Sequence, residues 1–85
     1  MAPDMNVNVK IFPIAGLNES TQVMDITLNE GSPGELLEIL SGRLGADPRE
    51  RSIMVLVNGQ CIDVESDVVL SNGDMIWLMP RLSGG

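Results

Sequence analysis

The chain has 85 residues, one cysteine, no histidine and a formal net charge of −7. A chain of this length forms one domain, residues 1–85, whose single small core leaves no room for an enclosed active site. The acidic balance argues against a nucleic-acid partner, and the cysteine and histidine counts exclude a disulfide framework and a multi-ligand zinc or iron–sulfur site. No long apolar run and no secretory leader is found, so we expect a cytoplasmic chain without a membrane partner.

Two strands joined as a hairpin are predicted at the start of the chain. Residues 5–12 and 24–28 alternate apolar and polar side chains, which is typical of half-buried strands, and a loop rich in turn residues separates them. Phe12 falls on the polar side of the first alternation. An aromatic residue is therefore expected on the face of the sheet that does not form the core.

A helix follows the hairpin. Ser32, Pro33 and Glu35 form a capping box, in which Ser32 caps the first turn and Glu35 reaches back towards it. Leucines recur at three- and four-residue spacing until Gly45, which is a fitting C-terminal stop. The leucine stripe predicts a helix packed on the core, and residues 46–52 are predicted to form a connecting loop.

The second half of the chain predicts three more strands. Residues 53–57 form one, and Asn58-Gly59 predicts a two-residue hairpin turn because both positions of that turn need a positive φ. A short strand at 61–65 would place Cys61 away from the helix-covered core. Residues 75–79 are apolar at every position, which indicates a strand in the interior of the sheet.

The parity of this last strand decides what the uncovered face of the sheet carries. If Ile76 and Leu78 point at the helix, then Met75, Trp77 and Met79 point the other way. They would join Phe12 and Cys61 in an exposed apolar patch, a feature that marks binding surfaces. The opposite parity would bury Trp77 in the core. We expect the first arrangement.

The chain ends in Gly84-Gly85. Two residues without Cβ atoms allow the main chain to lie extended in a channel too narrow for side chains, where a partner enzyme can reach the terminal carbonyl. The carboxylate of Gly85 is an anion at neutral pH and can attack a nucleotide phosphate to become an acyl-adenylate. Residues 81–85 are expected to be a flexible tail that a partner orders.

The segment from Leu70 to Gly85 resembles the C-terminal signature of the MoaD/ThiS family of ubiquitin-like sulfur carriers, and the MoaD type most closely. The signature is an L-x-x-G-D segment, an apolar strand, a proline and a terminal Gly-Gly. The matching residues are Leu70, Gly73, Asp74, Pro80, Gly84 and Gly85. Arg81 departs from the pattern, since proline or a small apolar residue is more usual there.

The resemblance implies an α+β fold, the ubiquitin-like β-grasp, with one main helix on a mixed sheet of four to five strands whose first and last strands pair in parallel. It implies a carrier rather than an enzyme, or the small subunit of a sulfur-transferring synthase. A ubiquitin-activating-type partner would adenylate Gly85 with its own ATP and Mg²⁺, and a sulfur donor would convert the adenylate to a thiocarboxylate. The chain itself would bind no cofactor or metal.

The loaded carrier would then pass sulfur to an acceptor synthase subunit, for the dithiolene of molybdopterin as the first interpretation and the thiazole of thiamine as the second. Gly84 and Gly85 would carry the chemistry. The residues expected to contact partners are Phe12, Cys61, Trp77, Met79, Pro80, Arg81, Leu82 and Ser83.

Two alternatives use the same sequence differently. In the first, the chain is a protein modifier and Gly85 forms an isopeptide bond with lysines of target proteins. In the second, it is a β-grasp interaction module whose glycines are not activated. Cys61 could also be a sulfur-relay thiol, but the negative charge of Asp63 on the same side of the predicted strand works against the thiolate that a relay needs, so we expect Cys61 to pack.

Overall fold

The structure, a computed structural model, describes residues 4–81. Five strands, one α-helix and one short 3₁₀ helix follow one another along the chain. Their bounds are β1 Met5–Ile11, β2 Gln22–Leu28, α1 Pro33–Leu44, the 3₁₀ helix Pro48–Glu50, β3 Ile53–Val57, β4 Gln60–Ile62 and β5 Met75–Pro80. None of the helices in this part of the chain is long and apolar enough to cross a membrane.

The five strands form one mixed sheet in the order β2-β1-β5-β3-β4. Strands β1 and β5 lie side by side in parallel, with Val9 opposite Ile76, and the other three pairings are antiparallel. The last strand of the chain is therefore held on both edges, by the first strand and by β3. This is the ubiquitin-like β-grasp arrangement, as predicted.

The core lies between α1 and one face of the sheet. It consists of aliphatic side chains that are at most 3% exposed, from all the strands but β4, from α1 and from two loops: Val7, Val9, Ile11, Ile14, Ile26, Leu28, Leu36, Leu37, Leu40, Val55, Leu70, Ile76 and Leu78. Because every one of these side chains is a hydrocarbon, the core has no polar group to satisfy. The predicted leucine stripe is confirmed as its helical half.

The caps of α1 hold the helix in place on the sheet. The hydroxyl of Ser32 accepts a hydrogen bond from the N–H of Glu35 at 3.0 Å, and Gly45 takes a left-handed conformation with φ 74° at the other end. The Glu35 carboxylate does not return to the capping residue as predicted. It accepts from the N–H groups of Asn29, Glu30 and Gly31 instead, and so ties the β2–α1 loop to the first helical turn.

Two segments differ from the prediction. The segment 46–52 is not a plain loop: Asp47 caps the 3₁₀ helix, Pro48 is buried, and Arg49 forms ion pairs with Asp47 and Glu38. Strand β4 ends at Ile62 rather than residue 65, because the chain turns there, with the Asp63 carboxylate accepting the N–H of Glu65 at 2.9 Å.

Candidate functional site

The face of the sheet away from α1, here called the open face, is apolar at its centre. It is formed by the residues that alternate with the buried ones. The mostly apolar part of this face consists of Lys10, Phe12, Met54, Leu56, Cys61, Met75, Trp77 and Met79. The part towards β2 is mostly polar and consists of Asn6, Asn8, Val23, Asp25 and Thr27. Trp77 lies opposite Lys10 on one side and Leu56 on the other, Leu56 lies opposite Cys61, and Lys10 lies opposite Val23. One row of side chains thus crosses all five strands with Trp77 in the middle.

The predicted parity of β5 is confirmed. Ile76 and Leu78 are 0% exposed under α1, whereas Met75 is 51% exposed and Trp77 and Met79 are half-buried on the open face. Phe12 lies on the same face, immediately after the end of β1, and its N–H donates to the carbonyl of Leu78. Cys61 is an exposed free thiol on the same row.

The aromatic side chains of the open face contact one another and a lysine. The rings of Phe12 and Trp77 meet edge to face, with centroids 5.7 Å apart. The Lys10 ammonium lies 5.1 Å from the Phe12 centroid and 5.9 Å from that of Trp77, which are cation–π distances. The alternation of residues 5–12 places Lys10 on the surface and indicates nothing more. Its contact with Trp77 depends on the pairing of β1 with β5, which no local pattern reveals.

The motif residues before β5 fix the start of that strand. The Asp74 carboxylate accepts hydrogen bonds from the N–H of Ser71 at 2.8 Å and from the side-chain amide of Asn58 at 3.0 Å. The Asn58 side-chain oxygen in turn accepts the N–H of Met75 at 2.9 Å. The hairpin turn after β3 and the entry to β5 are therefore joined by side chains, and Asp74 supports both.

Leu70 and Gly73 complete this support. Leu70 is buried in the core and its N–H donates to the carbonyl of Gly31 at 2.7 Å. Gly73 has φ 89°, a conformation that favours glycine, and its N–H donates to the carbonyl of Asn6 on β1. The L-x-x-G-D segment thus binds β5 to β1, β3 and the helix entry.

At its far end β5 leaves the sheet beside β3. Pro80 lies opposite Ile53, and the N–H of Arg81 donates to the carbonyl of Ser52 at 2.9 Å. Pro80 and Arg81 are both exposed. The four remaining predicted site residues, Leu82, Ser83, Gly84 and Gly85, lie outside the described residues.

A groove of about 710 Å³ lies along β3 and β4, next to Arg81, where β5 leaves the sheet. Its lining includes the aliphatic Ile53, Val55, Ile62 and Val64, the acidic Asp63 and Glu65, and the basic Arg49, Arg51 and Arg81. The hydrogen bonds of Arg49 to Asp47 and Glu38 raise the pKa of its guanidinium, and the Arg49 side chain lowers the pKa of Asp47. The groove therefore has a mixed lining rather than one charge.

The fold and the apolar open face define a ubiquitin-like β-grasp protein. No protein-family model and no curated protein matches the chain. Solved structures do match it, among them the two that follow. SAMP1 from Haloferax volcanii superposes with a TM-score of 0.64 at 26% identity, over 94% of this chain and 99% of that one. The Haloferax volcanii HVO 2177 protein superposes with a TM-score of 0.67 at 18% identity, over 96% of this chain and 88% of that one.

These neighbours support a ubiquitin-like β-grasp chain related to the MoaD/ThiS proteins. The second likeness, at 18% identity, concerns the fold alone. The first spans nearly the whole of both chains.

Proposed function

We propose that this protein is a sulfur carrier whose Gly85 carboxylate is activated by a partner enzyme. The observation that supports it most is the placement of β5. This strand is hydrogen-bonded along both edges and leads out of the sheet at Pro80, four residues before Gly84. A rigid central strand would present the residues that follow it to a partner, next to an open apolar face on which that partner can dock.

The activation would proceed in two displacements. A carboxylate oxygen of Gly85 attacks the α-phosphorus of ATP and pyrophosphate leaves, which yields an acyl-adenylate. The outer sulfur of a persulfide on the donor protein then attacks the acyl carbon and AMP leaves, which yields an acyl disulfide. A second thiol attacks the donor's own sulfur and forms a disulfide with it, so that the S–S bond breaks and the thiocarboxylate leaves with both electrons. The adenylating enzyme supplies ATP and Mg²⁺, and the carrier contributes the acyl group and the docking face.

The thiocarboxylate would deliver its sulfur to an acceptor synthase, with molybdopterin as the first candidate product and the thiazole of thiamine as the second. Sulfur transfer returns Gly85 as a carboxylate that can be adenylated again. The open face would dock these partners through Phe12, Cys61, Trp77 and Met79, and the exposed Pro80 and Arg81 would continue that contact towards Leu82 and Ser83.

The alternative function is a protein modifier in which a lysine amine, rather than sulfur, attacks the acyl-adenylate of Gly85. It would use the same fold, open face and tail. The similarity to SAMP1 over 94% of this chain is equally compatible with it. The two functions differ only in the acceptor.

Mass spectrometry of the untagged protein from its own cells tests the proposal. Replacement of one oxygen by sulfur at the C-terminal Gly85 would support the carrier, and isopeptide bonds from Gly85 to lysines of other proteins would support the modifier. A C-terminal peptide with an unmodified carboxylate under every growth condition, or with residues beyond Gly85, would contradict both.

Deletion of Gly84-Gly85 is the matched control. Since these residues follow the last strand, the deletion should leave the denaturant midpoint of unfolding unchanged while abolishing adenylation by the partner enzyme. Adenylation that survives the deletion would contradict activation at Gly85.

A further inference from the structure

The one lysine of the chain lies on the open face, beside its two aromatic residues. Its neighbours in the sheet are Trp77 on β5 and Val23 on β2, and Phe12 follows two residues later, just after the end of β1. A strongly hydrated ammonium at the margin of an apolar surface is costly to cover, because docking removes water from it. Lys10 is thus the residue of this face that a partner has to satisfy.

The part of the chain that the structure describes does not supply the missing anion. Within residues 4–81 both ion pairs belong to Arg49, so the Lys10 ammonium has no carboxylate within the 4.0 Å limit for an ion pair. The carboxylate of Asp25, which lies diagonally across β2, accepts a hydrogen bond from the Asn8 side chain at 3.2 Å. The rings of Phe12 and Trp77 stabilise the ammonium through their π faces but cannot neutralise it.

We propose that Lys10 selects the partners of the open face, by requiring a carboxylate beside the aromatic rings of Phe12 and Trp77. A partner that presents this carboxylate gains an ion pair shielded by Phe12, Trp77 and the methionines. A partner that presents only apolar groups leaves a desolvated, unpaired ammonium and is rejected. This inference rests on the proposed function, which identifies the partner as an activating or acceptor enzyme.

The charge that Lys10 requires from a partner is negative, whereas the net charge of the whole chain favours a positively charged partner. The net charge of −7 attracts basic partners at long range. Lys10 adds a second condition at short range, since the contact surface of the same partner has to carry one acidic side chain. A partner of uniformly basic contact surface would approach but would not dock.

A simple probe tests the recognition without any partner enzyme. The full chain is titrated with octanoate, octanol and octylammonium below their micelle concentrations, and the Trp77 indole N–H and the Lys10 methylene signals are followed by NMR. We expect octanoate to bind about two- to fivefold more tightly than octanol, the factor for a partly exposed ion pair. Octylammonium should bind most weakly.

Three variants locate the effect. Lys10→Met replaces the ammonium by an apolar side chain of similar length and should make the affinities for octanoate and octanol equal. Lys10→Glu should reverse the preference, so that octylammonium binds most tightly. Arg43→Met is the matched control, because it removes one positive charge from the exposed side of α1 and should leave the preference unchanged. Equal binding of octanoate and octanol by the unaltered chain would overturn the proposal. So would octanoate shifts confined to Arg51 and Arg81 of the groove.

A second measurement uses the adenylating enzyme of the same organism with ATP. Lys10→Met should raise the KM for the carrier several-fold, Lys10→Glu should raise it further, and kcat should stay the same, since Lys10 does not touch the reacting carboxylate. An unchanged KM in both variants would overturn the selection by Lys10. An unaltered chain that is not adenylated would instead contradict the proposed function, and the octanoate titration would still decide the role of Lys10.

Discussion

On the face that packs against α1, the buried side chains of the sheet are valine, isoleucine and leucine, at most 3% exposed. On the opposite face, the alternate residues include aromatic side chains, methionines, a cysteine and a lysine, with asparagine, aspartate and threonine towards β2, and all of them are half-buried or exposed. Both faces are rich in apolar atoms. They differ in whether the protein itself covers those atoms.

This difference separates two uses of hydrophobic surface. Branched aliphatic side chains fit one close-packed arrangement, which stabilises a fold. Methionines adapt to more than one partner, and the aromatic rings offer flat surfaces with polarised edges. We infer that β5 contributes to stability through Ile76 and Leu78 and to recognition through Trp77 and Met79. Changes at neighbouring residues of one strand should therefore have unlike effects.

The largest effect is expected on the covered face. Leu78→Ala removes a side chain that is 0% exposed and leaves a cavity under α1. Unfolding in denaturant should show a loss of about 2–5 kcal/mol. A loss below about 1 kcal/mol would mean that Leu78 is not part of a close-packed core, and the contrast between the two faces would fail.

A smaller effect is expected where β5 begins. Asp74→Ala removes the acceptor of the Ser71 N–H and of the Asn58 side chain, and should cost about 1–2 kcal/mol for two partly exposed hydrogen bonds. Amide exchange at Met75 should accelerate, because Asn58 loses its support. Asp67→Ala, at an exposed residue of the preceding turn, is the control and should stay within about 0.5 kcal/mol. Equal losses in the two variants would contradict the bracing role.

The cap of α1 should show a dependence on pH. Partial burial raises the pKa of Glu35, but the N–H groups of Asn29, Glu30 and Gly31 together bring it below its ordinary value of 4.5. Since the folded pKa is lower than the unfolded one, this contribution is present above pH 4.5 and is lost as the pH falls through the folded pKa.

Glu35→Gln should therefore lower stability by less than about 1 kcal/mol at neutral pH, because the carboxylate is largely exposed to solvent. The difference from the unaltered chain should shrink as the pH falls below 4.5. Ser32→Ala removes the other half of the cap, at a cost of about 0.5–2 kcal/mol. Its effect should not change over the same range, and a parallel decline in both variants would contradict the role of the Glu35 charge.

The smallest effect on stability is expected on the open face. Met79→Asp should change the free energy of unfolding by less than about 1 kcal/mol, since the side chain is already partly in water. Docking to the adenylating enzyme, measured by the KM for the carrier, should weaken at least about tenfold, as for the loss of an interface anchor. A chain that no longer folds would show that Met79 belongs to the core and would remove the distinction from Leu78.

The strands, the helix and their order could be predicted because each has a local cause. Asn58 and Gly59 have φ 51° and 87°, as the two-residue turn requires. Ser32 and Gly45 bound the helix through bonds within one turn of the chain. The end of β4 could not be placed, since the alternation continues to Glu65 while the Asp63 carboxylate turns the backbone.

The residues of the open face were predicted in part, because alternation along a strand is also a local pattern. Alternation alone places Trp77, Met79 and Phe12 on one face, given the right parity. The contribution of Met54 and Leu56 was missed because β3, like β5, is apolar on both faces. Lys10 was missed because its aromatic surroundings come from a strand at the other end of the chain, and the parallel pairing of β1 with β5 came from the family resemblance rather than from periodicity.

That pairing also has a consequence for how the molecule forms. The centre of the sheet joins β1, at residues 5–11, to β5, at residues 75–80, so its contacts are far apart in sequence. Folds of this kind close their central contacts slowly, because the loss of chain entropy precedes the gain from pairing. Until residue 80 has emerged from the ribosome, β1 and β3 each leave unpaired the edge that β5 covers, and such edges favour aggregation of the nascent chain.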